Sequence, residues 1–276
     1  MQGMHKAGKS AKGEELLSYE QAAARVAAWG AGAVEVYRRP RVAILTTGDE
    51  LVAVDAKPGP GQIRNSNAPM LAALVRGAGG EPWVLPRAAD TAAALERALE
   101  GALSAPAGVG MLLVSGGVSA GKFDLVEPAL ARQGAQFHFT GVRMQPGKPL
   151  VFGEVKGEAG GTVPFFGLPG NPVSSAVTFL LFGATVLGSL AGRRARRPRF
   201  AMARLTEAVK TKPGLTRFLP AVWAWNPAGG KKPEVTPVDW QGSGDLAAFA
   251  RSNCFVVTPE TAEGLKAGAM ARILLA

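Results

Sequence analysis

The residues able to do chemistry sit in a few short stretches rich in glycine and proline. "TTGDELV" (46–52) sets Asp49 and Glu50 beside Gly48, and "RAADT" (87–91) carries Asp90. "SGGVSAGKFD" (115–124) runs Ser115, Gly116 and Gly117 towards Ser119 and Asp124. "MQPGKPLVFG" (144–153) and "GLPGNPVSSA" (167–176) present Lys148 and a turn from Pro169 to Pro172. Small residues strip side chains from a turn, so the amides of 115–117 can converge on an anion, helped by the dipole of the following helix. A carboxylate at Asp124 would repel that anion unless a divalent cation lay between them, and Mg²⁺ is commonly held by one or two carboxylates plus substrate phosphates. Lys148, between Gly147 and Pro149, is a cation on a stiffened loop. Asn171 and Pro172 read as the cap and first residue of a helix whose start, with Ser174 and Ser175 nearby, is receptive to anions. Each stretch also has a plainer reading: a solvated acidic turn at 48–50, a helix cap at Asp90, a glycine-rich turn at 115–117, a well-capped helix at 171.

These stretches need a scaffold that brings them together. Residues 17–29 have helical spacing. Val42 to Leu45 form a short apolar run typical of a parallel strand buried on both faces. Asn65 to Asn67 are cap candidates for the helical pattern that follows, and "EPWVLPR" reads as a strand. Asp90 and Thr91 are cap candidates for "AAALERALEGAL"; "VGMLLVSGG" is the next strand and "DLVEPALARQG" the next helix. Segments 136–142, 149–155 and 163–167 add strands before a long helix from Pro172. The alternation predicts a three-layer α/β domain around a parallel or mixed sheet, with the loops at the carboxyl ends of the strands forming a ligand site. After residues 192–198 the pattern changes to short alternating segments separated by Pro, Gly and Asn, which predicts a small all-β module, barrel or sandwich. The expected division is a remnant or linker at 1–37, the α/β domain at 38–192 and the β domain at 193–276.

Composition narrows the chemistry. A formal charge of +10 on 276 residues suggests an anionic partner. Cys254 is the only cysteine, and His5 and His138 the only histidines, which argues against a disulfide framework, a cysteine cluster or a histidine-based zinc site. A Ser-His-Asp triad would rest on His138, which alternation assigns to an ordinary strand. The first residues lack an apolar core after their positive charges, so no signal peptide is expected. Residues 159–192 carry no charge and precede "RRARR", a pattern like a membrane span, but "LPGNP" interrupts it and Ser, Thr and Gly dot the remainder. A helix buried in a soluble, cytoplasmic α/β protein fits better. "RRARRPR" has no interleaved aromatics and reads as a solvated domain junction, not a nucleic-acid contact.

In this order and spelling, "TGDEL", "NSN", "ADT", "SGGVSAGKFD", "QPGKP" and "GLPGNPVSS" resemble the molybdopterin molybdenumtransferase family, the bacterial MoeA type related to the C-terminal half of gephyrin. The resemblance starts near residue 5, is densest between 38 and 190, and is looser in the β module. It implies a MogA-like α/β domain followed by the family's C-terminal β domain. The implied activity is insertion of molybdate into adenylylated molybdopterin with release of AMP, dependent on Mg²⁺. By motif, Asp49, Glu50, Asp90, Asp124 and Lys148 fall on catalytic positions, with Asp90 and Asp124 as metal ligands. Thr47, Gly48, Asn65, Ser115, Gly116, Gly117, Ser119, Pro169, Gly170, Asn171, Pro172 and Ser174 fall on cofactor-binding positions. Lys148 and Arg143 are the basic groups expected to attract molybdate. A homodimer, working with other cofactor-biosynthesis proteins, is also implied. Two departures stand out: residues 5–37 match only the tail of a region that in the family holds two further domains, and Gln145 stands where many members carry a second basic residue. Alternatives are the sister adenylyltransferase, and a molybdopterin-binding module without catalysis.

Overall fold

The computed structural model describes residues 37–117, 125–158, 160–193, 197–224 and 233–276. The helix expected at 17–29, and Ser119 and Asp124, lie outside the described residues. From Arg38 onward the chain forms one contact unit.

Chain order in the first part is β1 (Arg41–Thr46), β2 (Leu51–Val52), β3 (Ile63–Arg64), α1 (Asn67–Gly77), β4 (Glu81–Val84), α2 (Ala92–Leu103), β5 (Met111–Ser115), α3 (Val126–Arg132), β6 (Gln136–Phe139), β7 (Met144–Gln145), β8 (Val151–Lys156) and β9 (Thr162–Leu168). A helix over Pro172–Leu190 follows, made of α4 (Pro172–Thr178), a π-helical turn (Phe179–Gly183) and α5 (Ala184–Leu190). Six strands make a mixed sheet in the order β4-β1-β5-β9-β8-β6, with β4, β1, β5 and β9 mutually parallel and β8 antiparallel to both its neighbours.

Strand alternation explains why helices cover both faces. Ala43, Leu45, Leu112 and Val114 pack on Leu95, Leu99, Val126 and Leu130 of α2 and α3. Val42, Ile44, Met111 and Leu113 face the other way, onto Leu71 and Val75 of α1 and Phe179 and Leu187 of the long helix. That long helix is the uncharged segment with the composition of a membrane span: 61% of its most apolar window is buried inside the fold. Fully burying one such Leu or Phe side chain is worth roughly 1.5–3 kcal/mol.

The second part contains β10 (Phe200–Leu205), β11 (Val209–Lys210), β12 (Thr216–Ala224), β13 (Glu234–Pro237), the short helix α6 (Leu246–Ala250), β14 (Cys254–Thr258), β15 (Gly264–Leu265) and β16 (Met270–Leu275). Pairings β10–β16, β16–β14, β14–β12, β12–β13 and β13–β10 close a ring, so the module is a barrel, filled by Leu205, Val235, Val256 and Ile273. One more strand joins it. β7, from the α/β part, pairs in parallel with the start of β12, Thr216 opposite Met144 and Arg217 opposite Gln145. Sequence alternation placed no strand there, because two residues are too short to show a period. Val173, Val177 and Leu181 of the long helix pack with Phe218, Phe255 and Leu274 of the barrel, so the two parts share a core.

Several local expectations are corrected. Thr91 alone caps α2, its hydroxyl accepting from Ala94 N at 3.3 Å, and Asp90 turns away into the cleft. Ser66 holds the cap position of α1 without a side-chain bond, while Asn65 Oδ1 accepts from Ala68 N at 3.2 Å. The strand expected over 136–142 ends at Phe139, after a register shift against β8.

Candidate functional site

A cleft of about 990 Å³ opens at the carboxyl ends of β1, β5 and β9. Of the residues singled out as catalytic, Glu50, Asp90 and Lys148 line it. So do all the described cofactor-binding candidates: Thr47, Gly48, Asn65, Ser115, Gly116, Gly117, Pro169, Gly170, Asn171, Pro172 and Ser174. Asp49 does not line the cleft. Asp90 and Asp49 clasp each other: Asp49 N donates to Asp90 Oδ2 at 3.1 Å, and Asp90 N donates to Asp49 Oδ1 at 3.2 Å. The Thr47 hydroxyl donates to Asp90 Oδ1, and Arg87 reaches the Gly48 carbonyl at 2.9 Å and Asp49 Oδ1 at 3.4 Å. The Asp90 carboxylate is therefore held in one orientation, half-buried, by donors from two loops. Glu50 folds back over Gly48, close enough that a Cβ at Gly48 would lie 2.8 Å from its carboxylate.

The amide cradle is narrower than expected. Gly116 N donates to Leu168 O at 3.1 Å, and Ser115 is paired within the sheet, so neither offers its N–H to a ligand. Of these three amides, that of Gly117 has no acceptor among the described residues. Gly116 is irreplaceable on geometry: its φ is +100°, and a Cβ would come 2.6 Å from the Thr47 carbonyl oxygen.

The start of α4, expected to be receptive to anions, meets a barrel loop. Asn171 occupies the cap position without a side-chain bond to the helix, and its Nδ2 donates to Ser243 Oγ at 2.8 Å. Val173 N, the first free donor after Pro172, goes to Ser243 O at 3.1 Å. A barrel loop thus takes one backbone donor of this helix end, and Ser243, Gly244 and Leu246 become cleft wall. Ser175 is fully buried, its hydroxyl given to Pro169 O.

Sequence reasoning missed Asn67, taken only as a cap candidate. It is 9% exposed, and its Nδ2 donates to Ser115 Oγ at 2.9 Å and to Gly170 O at 2.6 Å, tying the β5 end to the 169–172 turn. The basic wall also differs. Lys148 is exposed on a loop closed by Val142 N to Lys148 O at 2.9 Å, with a cis Gln145–Pro146 bond. Arg143 points away and pairs with Glu260 at 3.1 Å; the arginine beside Gln145 is Arg217, from the barrel. No three His, Cys, Asp or Glu side chains among the described residues gather as a metal site.

The sequence pattern of a family described as a probable molybdopterin binding domain matches residues 43–189, and that of the MoeA C-terminal region (domain IV) matches 202–275. A molybdopterin molybdenumtransferase of Nostoc is 36% identical over 237 residues, which is 82% of this chain and 50% of that protein. One from Haemophilus influenzae is 33% identical over 244 residues, 88% of this chain and 58% of its own. A crystal structure of the molybdopterin biosynthesis MoeA protein from Pyrococcus horikosii superposes with a TM-score of 0.76 at 30% identity, covering 95% of this chain and 60% of that one. The chain spans about half the length of the curated relatives it matches.

Proposed function

The chain belongs to the molybdopterin-binding family whose curated relatives are molybdopterin molybdenumtransferases, and from that premise we propose that its cleft holds adenylylated molybdopterin while molybdate is inserted and AMP released. The observation that carries this reading is the fixed Asp90 carboxylate in a cleft that also presents the Gly117 amide and Lys148. Pterin nucleotide would lie along the 115–117 and 169–172 turns, its phosphates towards Gly117. Asn67 keeps those two turns in register.

Asp90 fits one ligand position of a Mg²⁺ site. Each of its oxygens accepts one hydrogen bond and keeps a lone pair, and a carboxylate beside a phosphate needs a countercharge. Asp124 would be the second ligand. When bound, the ion supplies that countercharge and polarises the phosphoanhydride. The protein's own part is orientation: Thr47 and the Asp49 amide fix Asp90, Arg87 braces Asp49, and Lys148 attracts the oxyanion. The dithiolene sulfurs would then replace oxygen on molybdenum, the displaced oxygen leaving as water with the thiol protons, so the pterin does the bond-making and the protein positions it. A division at 38–192 and 193–276, a homodimer, partners within cofactor biosynthesis and a cytoplasmic location belong to the same proposal.

The test is AMP release from adenylylated molybdopterin with Mg²⁺ and molybdate. Asp90→Ala is expected to keep the far-UV circular dichroism of the parent and to lose about 10²-fold or more in rate, the scale for removing one preorganised electrostatic group. An unchanged rate overturns the assignment. The alternative reading is a holding module without catalysis. Its signature is tight pterin binding with no turnover at any molybdate concentration.

A further inference from the structure

We propose that Asn67 is a positioning residue that locks the turn after β5 and the 169–172 turn into one edge of the cleft, so that a ligand long enough to touch both turns depends on it and a short one does not. The identity of the long ligand, adenylylated molybdopterin, rests on the reading above.

Asn67 opens α1, is 9% exposed and lines the cleft. Its amide can take only one orientation. The Gly170 carbonyl can only accept, so the atom 2.6 Å from it is Nδ2. The same nitrogen donates to Ser115 Oγ at 2.9 Å, so its two protons are spent, one on each turn. Its Oδ1 is buried and has no partner among the described residues. An unmet buried acceptor opposes folding, so what this side chain contributes lies in the two bonds of its nitrogen.

Two other contacts join the same turns. Gly116 N donates to Leu168 O at 3.1 Å, and Ser175, which gives its hydroxyl to Pro169 O, lies 3.4 Å from Ser115 Oγ. Both stop at the buried residues 168 and 169, whereas Asn67 reaches Gly170, the first exposed residue of the turn. There the turns meet: a Cβ on Gly170 would lie 3.7 Å from Gly116 Cα. Two bare glycines offer no side chain to set their offset, and the directional bond from Asn67 sets it. A ligand gripping both turns finds its edge already ordered; without Asn67 it must order that edge as it binds. AMP has no pterin and would rest on the Gly117 side alone.

Calorimetry on the full chain, without molybdate, measures affinity for adenylylated molybdopterin and for AMP in the parent, Asn67→Ala and Asn67→Asp. In Asn67→Ala the pterin nucleotide should bind about 10- to 100-fold more weakly, the scale of two lost hydrogen bonds, while AMP stays within about threefold. Asn67→Asp keeps the shape but, when ionised, sets an oxygen against the Gly170 carbonyl, so it should bind the pterin nucleotide at least as weakly at about pH 8. Burial raises the pKa of such a carboxyl, and below that pKa its O–H can donate to Gly170 again. The deficit relative to the parent should therefore narrow on acidification to about pH 5, which a loss of packing alone would not do. Equal pterin-nucleotide affinity in the parent and Asn67→Ala overturns the proposal. So does an equal loss for both ligands, which would make Asn67 a general support of the fold, and so does a parent that fails to bind the pterin nucleotide. A chain that shows the Asn67-dependent difference yet releases no AMP with Mg²⁺ and molybdate would sink the catalytic reading and leave this one standing. Should Asn67→Ala not fold, Asn67→Asp decides the same comparison.

Discussion

Replacing Gly116 with Ala tests whether the turn after β5 is as crowded as its geometry states. The residue has φ +100°, a conformation that costs an L-residue about 1–3 kcal/mol. A Cβ there would lie 2.6 Å from the Thr47 carbonyl oxygen, and backbone can yield only by shifting the end of β1. Overpacking of that kind costs about 1–3 kcal/mol more. The sum, about 2–6 kcal/mol, corresponds to a loss of roughly 5–20 °C in Tm for a unit of 150–250 residues. Thermal unfolding by circular dichroism reads it directly. Gly134→Ala is the control, with φ +75° and no atom within 4 Å of its added carbon, so it pays the backbone cost alone, about 1–2 kcal/mol. If both variants melt at the same temperature, the contact with Thr47 contributes nothing and the crowding argument fails. Moving Thr47 would also drag its hydroxyl from Asp90, so Gly116→Ala should bind pterin nucleotide more weakly even where it is folded.

Two further outcomes are expected. Burial of Cys254 pushes its thiol up to about 12, so it should resist a thiol reagent at pH 8 in the native state and react fully in denaturant; fast native labelling would show that the barrel interior opens. The amides of Ala248 and Gln241 hold the Asp245 carboxyl below its ordinary range. The stability this contributes is present above the unfolded-state pKa and is lost as the pH falls through the lower folded-state value, so the Tm difference between the parent and Asp245→Ala should shrink on acidification towards pH 3. A constant difference across that range would contradict it.

Much of the fold was legible because its signals are local. The run Val42–Leu45 alternates its neighbours between two helix layers, and Pro172 opens its helix as its fixed φ requires. The cleft-lining turns were legible too, since small residues and prolines mark where the backbone must bend. What escaped depends on pairing across long sequence distance. Nothing near Asp90 announces that Thr47 and Asp49 would engage it instead of the helix after it. Gly116 looked like a free donor, but Leu168, 52 residues away, takes its N–H. Arg143 and Arg217 are indistinguishable as letters; only the tertiary structure sets Arg143 against Glu260 and Arg217 against Gln145.

The two-rung ladder between β7 and β12 makes the chain hard to cut and paste. A barrel starting at residue 193 would lose the partner of Thr216 and Arg217, and the apolar seam of Phe218, Phe255 and Leu274 would be stripped of Val173 and Val177. The α/β portion alone would forfeit the wall formed by Leu215, Ser243 and Leu246. Recombination at that junction therefore swaps half a ligand site together with a sheet edge, and a transplanted barrel can serve a new host only if both fit at once.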